Sequence, residues 1–263
     1  KSLKISQNSL STLRKISKSI YTTDMNIFDF AQQIAEDAGE MMLKGAAKGF
    51  KVQEKEKNDF VTEVDQAVED FLIKRIKEKF PTHAVLAEES HFQDPDHATK
   101  LGESDYTWII DPIDGTRNFT RGIPYYAVSI GIFETDRSDR SKNFEYISGE
   151  IVAGIVHAPA LRETFTAIKD QGTKYNGKSV KVSAIPDLEH SIFATGFPPQ
   201  HRERNMPYFE AVLNHTGALR RSGSAAIDLA YVAAGRFDGF WEFGLYPWDI
   251  AAGALLVEEA GGK

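Results

Sequence analysis

The chain has 263 residues, 41% hydrophobic and 26% charged, with a formal net charge of −7 and no cysteine. Such a composition predicts a globular protein of one large domain or two joined halves. No apolar run approaches the ~18–20 residues of a membrane helix, and the acidic balance offers no basic footprint for direct nucleic-acid binding. Without cysteine there are no disulfides, thiolate metal sites or thiol nucleophiles, which leaves oxygen and imidazole as metal ligands. An acidic protein acting on anions needs bound cations near its site.

In chain order, residues 1–24 read as an N-terminal extension. The first 23 carry five Lys/Arg, six Ser and no acid, with Leu10, Leu13, Ile16 and Ile20 at helical spacing. That pattern is either transit-like, implying an organelle, or a non-native addition to a cytoplasmic protein. Asn26 and Asp29 predict a helix start, with Ile27, Phe30, Ala31, Ile34, Ala38 and Met41 on its apolar face. Lys51 to Lys57 reads as a solvated hairpin or loop. A second helix is expected over Thr62 to Phe80, stopped by Pro81. Strands follow at Ala84–Ala87, Tyr106–Ile110, Tyr126–Phe133, Ile151–His157 and Thr164–Ile168, with a tight turn at Asn176-Gly177. Glu134 to Gly149 is polar enough to be an exposed loop.

The last third alternates strand Ser191–Thr195, helix near Arg204–His215, strand Ala218–Arg221, helix Ser224–Ala234, strand Phe237–Glu242 and helix Trp248–Ala260. This mixture predicts a layered α/β or α+β fold, with halves 25–150 and 151–263. The stop at Gly261-Gly262-Lys263, directly behind a helix, reads as a truncation.

Asp111-Pro112-Ile113-Asp114-Gly115-Thr116 lies where a buried strand emerges. A turn there places two carboxylates and the Ile113 carbonyl together, the oxygen set that a hard divalent cation takes at about 2.1 Å. Gly115 lets a phosphate approach the backbone, and a short helix starting at Thr116 would present N–H groups to it. Asp-Pro-x-Asp-Gly is equally ordinary turn chemistry. The outlying carboxylates shift the balance: Glu88-Glu89 end one strand, Asp65 stands in the first turn of the second helix, and Asp249 opens the last helix. Held close in a cleft, these like charges require cations between them.

At these residues the chain resembles the inositol monophosphatase family of lithium-sensitive, Mg2+-dependent phosphatases, in its bacterial type. The matching segments are Asp59 to Asp65, Ala87-Glu88-Glu89-Ser90, Trp108 to Phe119 and Trp248 to Gly253. Gly223-Ser224-Ala225-Ala226 and Gly239-Phe240-Trp241-Glu242 match as well, so the resemblance covers residues 25 to 263. It implies a layered α-β-α-β-α sandwich and a homodimer.

It also implies two or three Mg2+ ions: one on Glu88, Asp111 and the Ile113 carbonyl, a second on Asp111, Asp114 and Asp249. Thr116, oriented by Asp65, would place the attacking water with Glu88. The phosphate would lie on the Gly115 and Thr116 amides, and Gly223, Ser224, Ala225, Glu242 and Asp249 would meet a small phosphorylated polyol. The implied reaction is hydrolysis of inositol monophosphate. The alternatives are a histidinol-phosphate or other sugar or nucleotide phosphatase and, in another class, a regulatory protein binding the transcription machinery. Lys55 and Lys57 both match the lysine that the family carries near its metals. His83, His157 and His215 are isolated, and Ser222 and Ser224 form no nucleophile elbow.

Overall fold

A computed structural model of the chain describes residues 27–56, 59–91, 104–136, 148–198 and 202–263. The expected extension, the Asn26 start, Lys57, the side chain of Lys55 and most of the 134–149 insert lie outside these residues. Helix α1 (Ile27–Lys48) is followed by a hairpin, β1 (Val52–Glu56) and β2 (Asp59–Thr62), and by helix α2 (Glu63–Lys79). The expected stripe on α1 is present, except that Met42 and not Met41 completes it. The 3.6-residue period reaches the core at Ala38 plus four.

Strands β3 (Ala84–Ala87), β4 (Tyr106–Asp114), β5 (Ala127–Thr135), β6 (Gly149–Ala158), β7 (Glu163–Ile168), β8 (Thr173–Tyr175) and β9 (Lys178–Val180) form one seven-stranded sheet in that order. β3 and β4 are parallel, and each later pair is antiparallel. Strands from both sides of residue 150 therefore share one sheet. Among the described residues, one helical turn, α3 (Glu88–His91), follows β3, and another, α4 (Thr116–Thr120), follows β4.

The remainder supplies β10 (Ile192–Thr195), α5 (Arg202–Leu213), β11 (Ala218–Arg220), α6 (Ala225–Ala233), β12 (Gly239–Trp241) and α7 (Pro247–Glu259). β11, β10 and β12 make a second, parallel sheet with β10 in the middle.

Alternation along β4 to β6 builds two cores. Trp108, Ile110, Val128, Ile130, Ile132 and Ile155 bury against α1 and α2. On the opposite face, Val156, Ala158, Phe165 and Ala167 meet α6 and α7, and Ile109 meets Trp248 and Ala251. The small sheet covers α6, and α5 closes the stack, completing the α-β-α-β-α order. One contact positions the site. Gly131 and Gly154 are cross-strand partners on β5 and β6. A Cβ on Gly131 would lie 2.7 Å from the Ala251 Cβ, and one on Gly154 2.8 Å from the Ala252 carbonyl oxygen. α7 thus seats directly on bare backbone. Among the described residues, no helix is long and apolar enough to cross a membrane.

Candidate active site

The first aspartate pair sits differently from the sequence expectation. β4 does not end at Ile110. Its ladder pairs Asp111 with Ser129 and resumes with Asp114 opposite Ala127, so three steps on β4 span two on β5. Pro112 has no N–H to give the ladder and falls within this bulge, which re-aims the neighbouring side chains. Asp111 is 2% exposed, and its Oδ1 accepts the Ile113 N–H at 3.0 Å. Asp114 ends the strand; its Oδ2 accepts from Ser224 Oγ at 2.5 Å and from the Ala226 N–H at 2.7 Å. The start of α6 is thereby tied to the β4 bulge. Asp249 stands in the first turn of α7, where its Oδ2 accepts the Tyr246 N–H at 2.6 Å.

One carboxylate oxygen from each of Asp111, Asp114 and Asp249 lies within 4.8 Å of the others. Burial pushes the Asp111 carboxyl well up, and the charges of Glu88, Asp114, Asp249 and Asp65 push it further. Glu88, where β3 gives way to α3, is therefore within electrostatic reach of the cluster but outside its tight triad. Burial raises Asp114 to about 6, against the bonds from Ser224, Ala226 and Ala225. Asp249 rises to about 7 through burial and Asp114, and Glu242 to about 8 through burial and the charges of Asp114, Asp249 and Asp228, opposed by Arg221. These groups suppress one another's ionisation. A divalent cation removes that conflict, and the all-oxygen donor set suits Mg2+.

Asp65 and Thr116 meet as expected. Thr116 Oγ1 is 3.0 Å from Asp65 Oδ1 and 2.9 Å from the Ile113 carbonyl oxygen. Asp65, fully buried, also accepts from the Thr62 N–H at 2.9 Å and from the Thr62 hydroxyl, closing a capping box at the start of α2. Desolvation nevertheless raises its carboxyl. Gly115 has φ 91°, and a Cβ there would lie 3.0 Å from the Tyr125 carbonyl oxygen and 3.2 Å from that of Gly223. Gly115→Ala is expected to lose about 1–2 kcal/mol of stability from the left-handed backbone alone. Phosphate-ester turnover should fall further, because the β4 bulge must shift; thermal unfolding and kinetics on one preparation check both.

Gly223, Ser224 and Ala225 lie against this turn. The Ser224 hydroxyl is committed to Asp114 and to capping α6 through the Ile227 N–H at 3.3 Å, and the side chain is buried. Arg221 is close enough to Asp228 and Glu242 to oppose their upward shifts. Among the described residues, the histidines stay outside the cluster. His83 accepts the Trp108 indole N–H at 3.0 Å and is pushed down to about 4 by burial. His157 pairs with Thr164, and His215 with the Ala211 carbonyl.

Sequence reasoning missed three supports. Glu69, one turn beyond Asp65 on α2, accepts the N–H groups of Glu89 at 2.8 Å and Ser90 at 2.7 Å, fixing the turn that carries Glu88. Asn118 Nδ2 donates to the Tyr125 carbonyl at 2.7 Å and the Ser222 carbonyl at 2.9 Å. Asp228 accepts the Tyr125 hydroxyl at 2.7 Å. The only signal for Glu69 was its i+4 spacing from Asp65, and a glutamate on a helix ordinarily faces water.

Residues 24–263 match the model of the inositol monophosphatase family. The chain is 39% identical over 244 residues to a Pseudomonas aeruginosa protein named Nus factor SuhB, covering 90% of this chain and 83% of the relative. Among solved structures it resembles the extragenic suppressor protein suhB of Bartonella henselae, with a TM-score of 0.77, 35% identity, and coverage of 89% of this chain and 85% of that one. It also resembles an inositol monophosphatase from Anabaena (Nostoc) sp., with a TM-score of 0.72, 36% identity, and coverage of 90% and 82%. With the family's fold built around its buried acidic cluster, the chain belongs to the inositol monophosphatase family.

Proposed function

We propose that the chain hydrolyses a small phosphate monoester with Mg2+, and that the ester is inositol monophosphate or a closely similar polyol phosphate. The observation carrying this is the convergence of Asp111, Asp114 and Asp249 within 4.8 Å in a buried setting. Family membership makes phosphate-ester hydrolysis the reaction for such a cluster. Glu88, Asp111, the Ile113 carbonyl, Asp114 and Asp249 would hold two or three cations. Bound Mg2+ supplies positive charge to the phosphoryl oxygens and the leaving alkoxide and makes water a stronger acid.

The protein's own groups do the positioning. When the Thr116 hydroxyl donates to Asp65, its oxygen is left to accept a hydrogen bond that orients the attacking water. As the water oxygen bonds to phosphorus and the bond to the alcohol oxygen breaks, Glu88 takes one proton from the water and the leaving alkoxide ends with one. The Gly115 and Thr116 N–H groups, where α4 starts, would receive the phosphate. Glu242, Asp249 and the 223–225 backbone border the alcohol, with Glu242 accepting hydrogen bonds from its hydroxyls.

A panel of inositol, glycerol, histidinol and nucleotide monophosphates, assayed in Mg2+ with and without Li+, tests the assignment; absence of turnover throughout would refute it. Glu242→Gln is expected to lower kcat/KM unevenly, by about tenfold for the polyol ester and little for esters without neighbouring hydroxyls. Equal losses across the panel would contradict the Glu242 role.

A regulatory role is the second reading, favoured by 39% identity to a protein named Nus factor SuhB. Capture of a polymerase or elongation factor by the inactive Asp111→Asn protein would support it. We also propose a homodimer, measurable by sedimentation.

A further inference from the structure

α5 meets the rest of the molecule in an unusual way. Of its twelve residues, one is buried: Asn205, at 0% exposure. A buried amide is costly unless its hydrogen bonds are made, and here they are. Its Nδ2 donates to the Gly196 carbonyl at 2.6 Å and to Thr195 Oγ1 at 3.1 Å, and its Oδ1 accepts the Trp241 indole N–H at 2.6 Å. Thr195 and Trp241 are paired in register at the C-terminal ends of parallel strands β10 and β12. Asn205 thus latches two strand ends together at the edge where open parallel sheets bind ligands.

One residue beyond each strand end lie Gly196 and Glu242. A Cβ built on Gly196 would fall 2.0 Å from the Glu242 carboxyl carbon and 2.0 Å from each of its oxygens. Gly196 lacks the left-handed φ of the turn glycines, so a side chain there would not strain the backbone but would displace the Glu242 carboxylate. The Glu242 carboxylate lies flat against the Gly196 backbone, and the latch sets how far apart the two stand.

We propose that Asn205 and Gly196 are specificity-determining positions. Neither has to touch the cations or the phosphate. Together they hold the Glu242 carboxylate where its two oxygens accept hydrogen bonds from two neighbouring hydroxyls of the leaving alcohol, which selects a vicinal polyol over an alcohol without them. This rests on the phosphatase reading above and on Glu242 facing the alcohol.

The test compares inositol 1-phosphate with p-nitrophenyl phosphate, whose leaving group has no neighbouring hydroxyls, for Gly196→Ala and Asn205→Leu. The ratio of kcat/KM values is expected to fall about tenfold in both variants, mainly through KM for the inositol ester, with the Mg2+ concentration for half-maximal rate unchanged. Should Asn205→Leu fail to fold, Gly196→Ala leaves the latch intact and carries the same expectation. An unmoved ratio in folded Gly196→Ala, or equal losses on the two esters, would overturn the inference. Wild-type protein that turns over neither ester would remove the phosphatase reading and this inference with it, an outcome distinct from intact chemistry with an unmoved ratio.

Discussion

Asp111→Asn is expected to cut phosphate-ester turnover by about 10^3-fold or more, equivalent to ~4 kcal/mol of transition-state stabilisation, while the metal-free protein unfolds at the wild-type temperature or above it. The two halves of this result have one cause. Asp111 is the most deeply buried of the Asp111, Asp114 and Asp249 triad, and the charges of Glu88, Asp114, Asp249 and Asp65 oppose its ionisation. An amide of the same shape keeps an Oδ1 to accept the Ile113 N–H but brings no charge, which relieves the metal-free fold and, on the proposed assignment, would weaken the hold on the cations. Thermal unfolding in a chelator, calorimetric Mg2+ titration and ester hydrolysis read the three consequences separately. Wild-type-like turnover by the variant would sink the assignment of Asp111.

The second large effect is a reversal of the usual acid sensitivity. In the unfolded chain the carboxyls of Asp114, Asp249 and Glu242 ionise near 4, whereas in the metal-free fold they are raised to about 6, 7 and 8. Between these limits the folded form holds protons that the unfolded form has released, so the contribution of these three groups to stability is fully present below about pH 4 and is lost as pH rises toward 8. Mg2+ takes the place of those protons. Its affinity should therefore rise by about tenfold per pH unit for each proton displaced, and its stabilising effect should be larger at pH 8 than at pH 5.5. Melting curves across that range, with chelator and with Mg2+, read the linkage, and buffers of differing ionisation enthalpy count the protons. A chelated protein whose melting temperature is flat from pH 5.5 to 8 would show that the cluster is not charge-frustrated.

Much of the architecture was legible because it follows apolar periodicity. The stripe of α1, the alternation of β5 and β6 and the long final helix each declare the face they bury. The slip from Met41 to Met42 is one residue of phase at the end of a long helix, where several apolar residues compete. The hairpin of β8 and β9 was visible only as the Asn176-Gly177 turn, because three-residue strands are too short to show a period.

At the site, motif residues with charge were found because buried carboxylates at strand and helix ends are rare. Their supports were not found. Glu69 and Asn118 act through backbone groups, and Asn205 through one backbone carbonyl and two side chains, all brought near by the fold. Nothing in the local sequence marks a polar side chain as the acceptor of an amide twenty residues away. The bulge at Pro112 escaped for a related reason: a proline after an aspartate signals a turn, and only the pairing with β5 shows that the strand carries on through it.

The bare pair Gly131 and Gly154 has a bearing on the choice of ion. α7 carries Asp249, and β4, next to β5 in the sheet, carries Asp111 and Asp114. The gap that the cations must bridge is therefore gauged by how deeply α7 sinks into the sheet, and two missing methyl groups act as the shim. A single alanine at either glycine would raise the helix at that point and tilt Asp249 away from its partners. Small, octahedral Mg2+ tolerates little such widening, while a larger cation such as Ca2+ or Mn2+ accepts longer ligand spans. Ion preference in this fold can thus drift through positions that no ion touches.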